Sequence, residues 1–176
     1  MNDLATPGIA HVDSKSAIMD ENRTPPSGGI TALQAHLLAD IPLARAMSLS
    51  VDAYDGDTLT MGAPLAPNIN DKGCAFGGSL ASLMTLAGWG LVKLAVDAKA
   101  LDCDIYVQDS AIRYLAPVWQ DFSAVAQLAH GDTFADFFSV LAARGKGRLR
   151  VRCVVPLADG TAGATLEARF VALAKR

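Results

Sequence analysis

The fold is decided by Asn68-Ile69-Asn70-Asp71-Lys72-Gly73-Cys74-Ala75-Phe76-Gly77-Gly78, a polar, glycine-containing stretch that leads directly into an apolar segment over residues 79–96. The segment predicts one long helix that begins at Gly77 or Gly78. The first backbone N–H groups of a helix have no partner inside it, and the helix dipole is positive there. Because an oxyanion or a phosphate would be stabilised at such a point, the stretch predicts a functional site.

The same segment has to be weighed as a membrane span. Residues 73–92 carry no charge, and at ~1.5 Å per residue they would extend about 30 Å, the thickness of a bilayer core. Three glycines crowd the beginning of this segment, Ser79, Ser82 and Thr85 recur along it, and Lys93 follows it. These small and polar residues favour a helix buried in protein over a membrane span.

Composition limits the classes of function. The chain has 176 residues, 51% of them hydrophobic, which is enough for one domain with a continuous core. A net charge of -3 and a pI near 5.5 argue against a nucleic-acid partner, which would require a broad basic surface. Cys74, Cys103 and Cys153 form no CxxC pair, and no apolar signal segment is visible at the N-terminus. We therefore expect a cytoplasmic protein without a disulfide framework.

The chain divides into an arm and a domain. Residues 1–29 mix prolines, glycines and scattered charges without apolar periodicity, which indicates a disordered or loosely attached arm. Residues 30–176 form the predicted domain. A short helix is expected from about Thr31 to residue 41, followed by strands over residues 44–54 and 58–66 that Asp55-Gly56-Asp57 joins as a hairpin.

The remaining elements follow the long helix. Strands are predicted over residues 104–115, 122–129, 146–156 and 164–174, with an inserted helix over residues 133–144 that Gly145 ends. In the strand at 146–156, lysine and arginine alternate with apolar residues, which predicts one cationic face and one buried face. The order of elements fits an antiparallel sheet curled around one helix.

Three sequence blocks carry a resemblance to a known family. They are Ala63-Pro64-Leu65-Ala66-Pro67-Asn68-Ile69-Asn70-Asp71-Lys72-Gly73, then Phe76-Gly77-Gly78-Ser79-Leu80, then Gln108-Asp109-Ser110 with Arg113-Tyr114-Leu115-Ala116-Pro117-Val118. With the order of elements, they resemble the hotdog fold of acyl-thioester hydrolases and dehydratases, and more narrowly the thioesterase domain at the C-terminus of YiiD-type acetyltransferases. The resemblance spans roughly residues 30–176. It implies an α+β hotdog fold, in which an antiparallel β-sheet wraps around a long central α-helix.

The resemblance also implies a chemistry and an assembly. It implies hydrolysis of an acyl-CoA or acyl carrier protein (acyl-ACP) thioester without a cofactor, by a homodimer or a tetramer whose active sites lie between protomers. The better-understood members carry His-Gly-Gly where this chain has Phe76-Gly77-Gly78, and Thr85 occupies the usual position of a helix carboxylate. The familiar general base is therefore missing, and the catalytic residues cannot be transferred as a set.

The residues themselves suggest catalytic candidates. Hydrolysis needs a polarised carbonyl, which the Gly77 and Gly78 N–H groups could provide, and an acid that activates water. Asp71 is the first candidate for that acid, with Asn70 positioning water or substrate, although both could be ordinary loop and capping residues. Asp109 is the second candidate, since regular alternation places it on a mostly apolar strand face with Val107; it could instead be a structural acid.

Substrate contacts are expected from the helix and from the cationic strand. Phe76 and Leu80 could line the acyl chain, and the hydroxyls of Ser79, Ser82 and Thr85 could touch substrate, or bond the preceding helical turn. Arg148 and Arg150 could bind coenzyme A phosphates or an acidic carrier protein, or lie on a solvated face. The three histidines, at positions 11, 36 and 130, show no ligand spacing, so no metal site is predicted.

Two other functions remain open. A non-catalytic acyl-thioester binding or interaction domain is the main alternative, because the usual histidine and helix carboxylate are absent. A hotdog hydratase or dehydratase is the second, but such an enzyme would need a histidine close to the glycine motif.

Overall fold

The structure, a computed structural model, describes residues 27–175. This part of the chain contains four α-helices, α1 (Ser27–Asp40), α2 (Pro42–Ala46), α3 (Gly77–Asp97) and α4 (Phe134–Arg144). It contains six strands, β1 (Ser50–Tyr54), β2 (Thr58–Ala63), β3 (Cys103–Tyr114), β4 (Phe122–Leu128), β5 (Lys146–Pro156) and β6 (Ala162–Ala174). A single-turn 3-10 helix, Ala66–Asn68, lies between β2 and α3.

One antiparallel sheet contains all six of these strands, in the order β1-β2-β4-β5-β6-β3. The hairpin between β1 and β2 is closed by the predicted Asp55-Gly56-Asp57 turn, in which Gly56 has a φ of 105°. β1 forms one edge of the sheet, where the Val51 N–H donates to Gln34 Oε1 of α1 at 2.7 Å. β3 forms the other edge.

α3 packs along the inner face of the sheet and forms the centre of the core. Eleven of its residues are buried, and the Cys153 thiol of β5 donates to the Met84 carbonyl at 3.2 Å. A methyl group on Gly88 would lie 2.9 Å from the Phe170 ring, so glycine lets α3 approach β6 closely. α3 is long and apolar enough to cross a bilayer, but 61% of its most apolar 18-residue stretch is buried inside the protein. This packing is the one predicted for a helix buried in protein.

β5 and α4 match their predictions closely. In β5, Lys146, Arg148, Arg150 and Arg152 are exposed, and the alternate residues from Gly147 to Cys153 are buried against α3 and α4. α4 begins after Thr133, whose hydroxyl accepts the Asp136 N–H at 3.0 Å. It ends at Gly145, which adopts a left-handed conformation with a φ of 65°. Both helix ends therefore follow ordinary capping rules.

The N-terminal predictions were less accurate. Most of the predicted arm, residues 1–29, lies outside the described residues, but residues 27–29 belong to α1, so Thr31 is not an N-cap. Gly29 packs within reach of Leu94 on α3, and such tertiary contacts extend the helix despite the low helix propensity of glycine. The strand predicted to begin at residue 44 starts only at Ser50, because residues 42–46 form α2.

A β-bulge in β3 changes which way Asp109 faces. Val107 pairs with the buried Phe170, whereas Asp109 pairs with the exposed Arg169, so Gln108 is the extra residue. Asp109 therefore projects from the outer face of the sheet, and Val107 shares the inner face with Phe170. The expectation that Asp109 and Val107 share one face was wrong, because it assumed regular alternation through the whole strand.

Candidate active site at the start of the central helix

The loop before α3 is a closed turn held by main-chain hydrogen bonds. The Asn70 N–H donates to the Cys74 carbonyl at 2.8 Å, and the Gly73 N–H donates to the Asn70 carbonyl at 3.1 Å. Gly73 has a φ of 84°, a conformation that glycine adopts without strain. The Asn70 side chain accepts the Lys72 N–H at 2.8 Å and donates to Cys74 Sγ at 3.2 Å. Asn70 therefore shapes the loop, which is one of the ordinary roles left open by the sequence, and it caps no helix end.

Asn68 joins this loop to the rest of the fold. Its side chain is 2% exposed, and Nδ2 donates to the Met47 carbonyl at 2.9 Å and to the Pro64 carbonyl at 2.7 Å. Its main-chain carbonyl accepts the Phe76 N–H at 2.7 Å. The neighbouring Ala75 N–H donates to the Val118 carbonyl at 2.8 Å. These bonds fix the position at which α3 begins.

The first N–H groups of α3 are uncapped. Phe76 is the N-cap residue and provides no side-chain hydrogen bond. The Leu80 N–H is the first to be accepted, by the Phe76 carbonyl at 3.1 Å. Within residues 27–175, the N–H groups of Gly77, Gly78 and Ser79 have no acceptor. These donors lie at the positive end of a 21-residue helix, as the sequence predicted.

Two aromatic rings occupy the space beside the two glycines. A methyl group on Gly78 would lie 2.3 Å from Cε1 of Phe76, and one on Gly77 would lie 3.4 Å from the Tyr114 ring. The Tyr114 hydroxyl also donates to the Gly77 carbonyl at 3.1 Å. The absence of a side chain at Gly77 and Gly78 therefore allows ring packing as well as access to the backbone, and no pattern in the sequence predicts this packing.

A cavity of about 330 Å³ opens beside this helix start. Its walls come from the loop, from the first turn of α3 and from the end of β3, namely Cys74, Ala75, Gly77, Leu80, Tyr114, Leu115, Ala116, Pro117 and Val118. The wall is largely apolar, and within the described chain it contains no carboxylate. Of the predicted site residues, Gly77 and Leu80 line it directly. Tyr114 also lines it, a residue for which the sequence predicted no role.

The two candidate acids lie elsewhere. Asp71 is on the exposed loop, where both carboxylate oxygens lie 2.9 Å from Lys72 Nζ. The Asp109 carboxylate lies on the outer face of the sheet, 3.6 Å from Arg169 Nη1. Within one chain, the sheet separates Asp109 from Gly77 and Gly78. The structure therefore does not bring the predicted acid and the predicted donors together in a single cavity.

The remaining helix candidates form one stripe. Ser79, Ser82 and Thr85 are all half-buried, and Leu86, Trp89 and Lys93 continue the stripe towards the C-terminus of α3. Ser82 Oγ donates to the Gly78 carbonyl at 2.8 Å, a bond to the preceding helical turn of the kind predicted as the alternative to substrate contact. Phe76 is 55% exposed beside Gly78, outside the cavity wall.

Arg148 and Arg150 lie on the outer face of the sheet, away from the helix start. Arg148 Nε donates to Gln108 Oε1 at 2.9 Å. Arg150 Nη2 donates to Asp132 Oδ1 at 2.7 Å, and hydrogen bonding from this guanidinium lowers the pKa of Asp132. A broad groove on this face also includes Arg113 and Arg152. The two predicted substrate-binding arginines thus already have partners, and the sheet separates them from Gly77.

The described residues, 27–175, contain no cluster of three or more histidine, cysteine or acidic side chains that could hold a metal ion. Cys74, Cys103 and Cys153 are all free thiols. Burial raises the pKa of Cys153 to about 12, so this thiol stays protonated at neutral pH. Cys74 lines the cavity, and its Sγ accepts a bond from Asn70.

Comparison with solved structures places the fold among thioesterase-like proteins. A protein of unknown function from Chlorobaculum tepidum matches with a TM-score of 0.77 and 29% identity, over 82% of this chain and 94% of that chain. A "putative thioesterase" from Shewanella oneidensis matches with a TM-score of 0.73 and 29% identity, over 82% of this chain and 97% of that one. A "probable thioesterase" from Pseudomonas aeruginosa shares the fold at 21% identity and a TM-score of 0.70, over 82% and 96% of the two chains. These matches confirm the hotdog fold.

A family profile gives the corresponding result from sequence. The profile described as "Putative thioesterase (yiiD_Cterm)" matches residues 30–174, which include β1 to β6, α3 and the loop before it. The match covers the helix start, the cavity and all three of the sequence blocks that suggested the resemblance. The chain therefore belongs to the YiiD C-terminal thioesterase family.

Proposed function

We propose that this protein hydrolyses an acyl thioester, carried by coenzyme A or by acyl carrier protein, to a free acid and a thiol. The observation that carries this proposal is the set of uncapped N–H groups at Gly77, Gly78 and Ser79, of which Gly77 lies in the wall of an apolar cavity. A thioester carbonyl that accepts from these groups becomes more electrophilic, and the oxyanion formed by attack is stabilised by the same donors. Removal of one such donor typically costs about 3–4 kcal/mol in the transition state.

Asp71 is the base in this proposal. Its loop leads directly to the donors, and its exposed ion pair with the neighbouring Lys72 contributes little stability, so the carboxylate is free to turn towards a bound water. Asp109 is the alternative base, and its position on the outer face makes it the weaker one. Leu80 and Leu115 provide the apolar contacts for the acyl chain next to the carbonyl.

We further propose that the active unit is a homodimer. β3 is a 12-residue edge strand, and Tyr106 and Val107 on it are exposed apolar side chains. A long edge strand of this kind is a template for pairing with another strand. Pairing of two β3 strands would place polar groups of a second protomer near the cavity, to which residues 27–175 contribute no carboxylate. Sedimentation equilibrium would test this proposal, and a monomer at micromolar concentration would contradict it.

A non-catalytic acyl-thioester binding domain is the second candidate. The observation in its favour is that the described cavity wall combines the Gly77 N–H, a donor for a carbonyl, with apolar side chains but offers no carboxylate or imidazole as a base. Such a domain would bind acyl-CoA and release no thiol.

The deciding experiment follows thiol release from acetyl-, hexanoyl- and palmitoyl-coenzyme A and from the corresponding acyl carrier proteins. Because the protein has free thiols of its own, the free acid is quantified by chromatography in parallel. Asp71→Asn and Asp109→Asn are compared with Asp57→Asn, which removes an exposed carboxylate in the β1–β2 hairpin.

We expect Asp71→Asn to lower kcat at least tenfold, while Asp57→Asn has no effect. Loss of activity in Asp109→Asn alone would identify the other base. Tight binding without release of acid by the wild-type protein would favour the binding domain, and hydration of an enoyl ester would favour a hydratase.

A further inference from the structure

Two side-chain hydroxyls bond to consecutive carbonyls at the start of α3. The Tyr114 hydroxyl donates to the Gly77 carbonyl at 3.1 Å, and the Ser82 hydroxyl donates to the Gly78 carbonyl at 2.8 Å. Each carbonyl belongs to the same amide group as the N–H of the following residue. The hydroxyls therefore act on the two amides that carry the uncapped Gly78 and Ser79 N–H groups.

A hydrogen bond to the oxygen of an amide polarises the whole group and makes its N–H a stronger donor, by perhaps 10–30% per bond. We propose that Tyr114 and Ser82 are positioning residues that strengthen and orient the Gly78 and Ser79 N–H groups for a substrate oxygen. This inference rests on the proposed function, because it assigns these donors to a thioester carbonyl. Neither hydroxyl needs to touch the substrate for this effect.

The fold holds Tyr114 in place for this role. The strand end that carries it is anchored to β6, since the Leu115 and Ala116 N–H groups both donate to the Gly163 carbonyl, at 2.8 and 3.1 Å. Its ring packs against Gly77, where an added methyl group would already be in van der Waals contact at 3.4 Å. The edge strand thus positions the helix start through one side chain.

The bond from Ser82 has a second explanation, a purely structural one, and the test must distinguish it from the proposed role. Serine in a helix commonly bonds the carbonyl four residues earlier without any function. A merely structural bond would polarise the Ser79 amide as well, but its loss would affect stability and leave kcat unchanged. The two hydroxyls act on different amides, so each variant has its own expected target.

The first test measures the amides directly by NMR. In ¹H–¹⁵N spectra, we expect Tyr114→Phe to move the Gly78 amide proton upfield, and by more than it moves the Ser79 proton. We expect Ser82→Ala to move the Ser79 amide proton upfield, and by more than it moves the Gly78 proton. Ser82→Thr keeps a hydroxyl and should restore the Ser79 resonance. Tyr54→Phe is the matched control, because it removes a similar bond, from the Tyr54 hydroxyl to the Gly56 carbonyl at 3.2 Å, remote from the site. Equal shifts in all variants would overturn the inference.

The second test uses kinetics with hexanoyl-coenzyme A. A donor of this kind is worth about 10²- to 10³-fold in kcat. A change of 10–30% in its strength should therefore make each of Tyr114→Phe and Ser82→Ala lower kcat about 2- to 8-fold. KM and the affinity for S-hexyl-coenzyme A, a thioether without a carbonyl, should not change. Unchanged kcat in both variants, or a loss that appears only in KM, would overturn the inference. If the wild-type protein hydrolyses no ester, the proposed function fails, while the NMR comparison still decides whether the hydroxyls polarise these amides.

Discussion

Replacement of the buried Asn68 should destabilise the protein because this side chain joins three segments. Nδ2 donates to the Met47 and Pro64 carbonyls, at 2.9 and 2.7 Å. Asn68→Ala removes both bonds and leaves two acceptors without a partner in a mostly buried site. A buried polar group left unsatisfied costs about 1–3 kcal/mol. Since the bond to Pro64 is only partly buried, we expect a total loss of about 2–4 kcal/mol.

At neutral pH, Asn68→Asp should destabilise the protein more than Asn68→Ala does, and this extra loss should depend on pH. A carboxylate has the size of the amide but cannot donate, and burial penalises its charge, which adds at least ~1 kcal/mol to the loss. Burial would raise the folded-state pKa of the introduced carboxyl above its unfolded value of about 3.9. A group with a raised pKa contributes stability below its unfolded pKa and loses it as the pH rises through the folded pKa. Asn68→Asp should therefore become less destabilised relative to wild type as the pH is lowered from 7 to 4.

Urea unfolding, followed by the fluorescence of Trp89 and Trp119 at fixed protein concentration, measures these changes. Asn70→Ala is the control, because Asn70 forms only local bonds in the exposed loop, and we expect a cost of about 1 kcal/mol or less. The reasoning would be refuted by a loss under ~1 kcal/mol for Asn68→Ala. It would also be refuted if the two Asn68 variants were equally stable at every pH.

Three further predictions concern the core and the titratable groups. Gly88→Ala places a methyl 2.9 Å from the buried Phe170 ring; overpacking of about 1–3 kcal/mol should exceed the gain of about 1 kcal/mol in helix propensity, and a higher urea midpoint would contradict this. Because the pKa of Cys153 rises from 9.0 to about 12 on burial, the unfolded thiol ionises first and stability falls as the pH rises above 9; the melting temperature of Cys153→Ser should fall less steeply there. Arg150 lowers the pKa of Asp132 below 3.8, so this ion pair stabilises the fold above that pH and the stabilisation is lost in acid. Asp132→Asn should therefore lower the melting temperature at pH 6 and reduce the drop in melting temperature between pH 5 and 3. Parallel melting-temperature curves for wild type and variant would contradict this.

Local patterns were sufficient for two of the regular elements, β5 and α4. The strand at 146–156 was predicted with its observed bounds because charged and apolar residues alternate along it without interruption. The helix observed over residues 134–144 was predicted over 133–144, from the spacing of its phenylalanines and from Gly145, which ends it. In each case the pattern lies within one element and has the period of that element, two residues for the strand and about 3.6 for the helix.

Contacts between elements decided where the candidate site residues lie. The bulge at Gln108 depends on pairing between β3 and β6, so alternation within β3 alone placed Asp109 on the wrong face. The ring of Tyr114 meets Gly77 across 37 residues of sequence. Asn68 appeared to be one more polar loop residue, although its side chain bonds to a carbonyl 21 residues earlier.

The sequence by itself determined the fold, the family and the uncapped start of the central helix, because these depend on periodicity, glycine placement and contiguous motifs. Only the tertiary structure decided that the acids lie outside the cavity, that aromatic rings fill the space beside the glycines, and that two hydroxyls bond to the amides behind the free donors. These arrangements depend on side chains from strands that are distant in sequence, and a pattern within one element contains no information about which neighbour will face it.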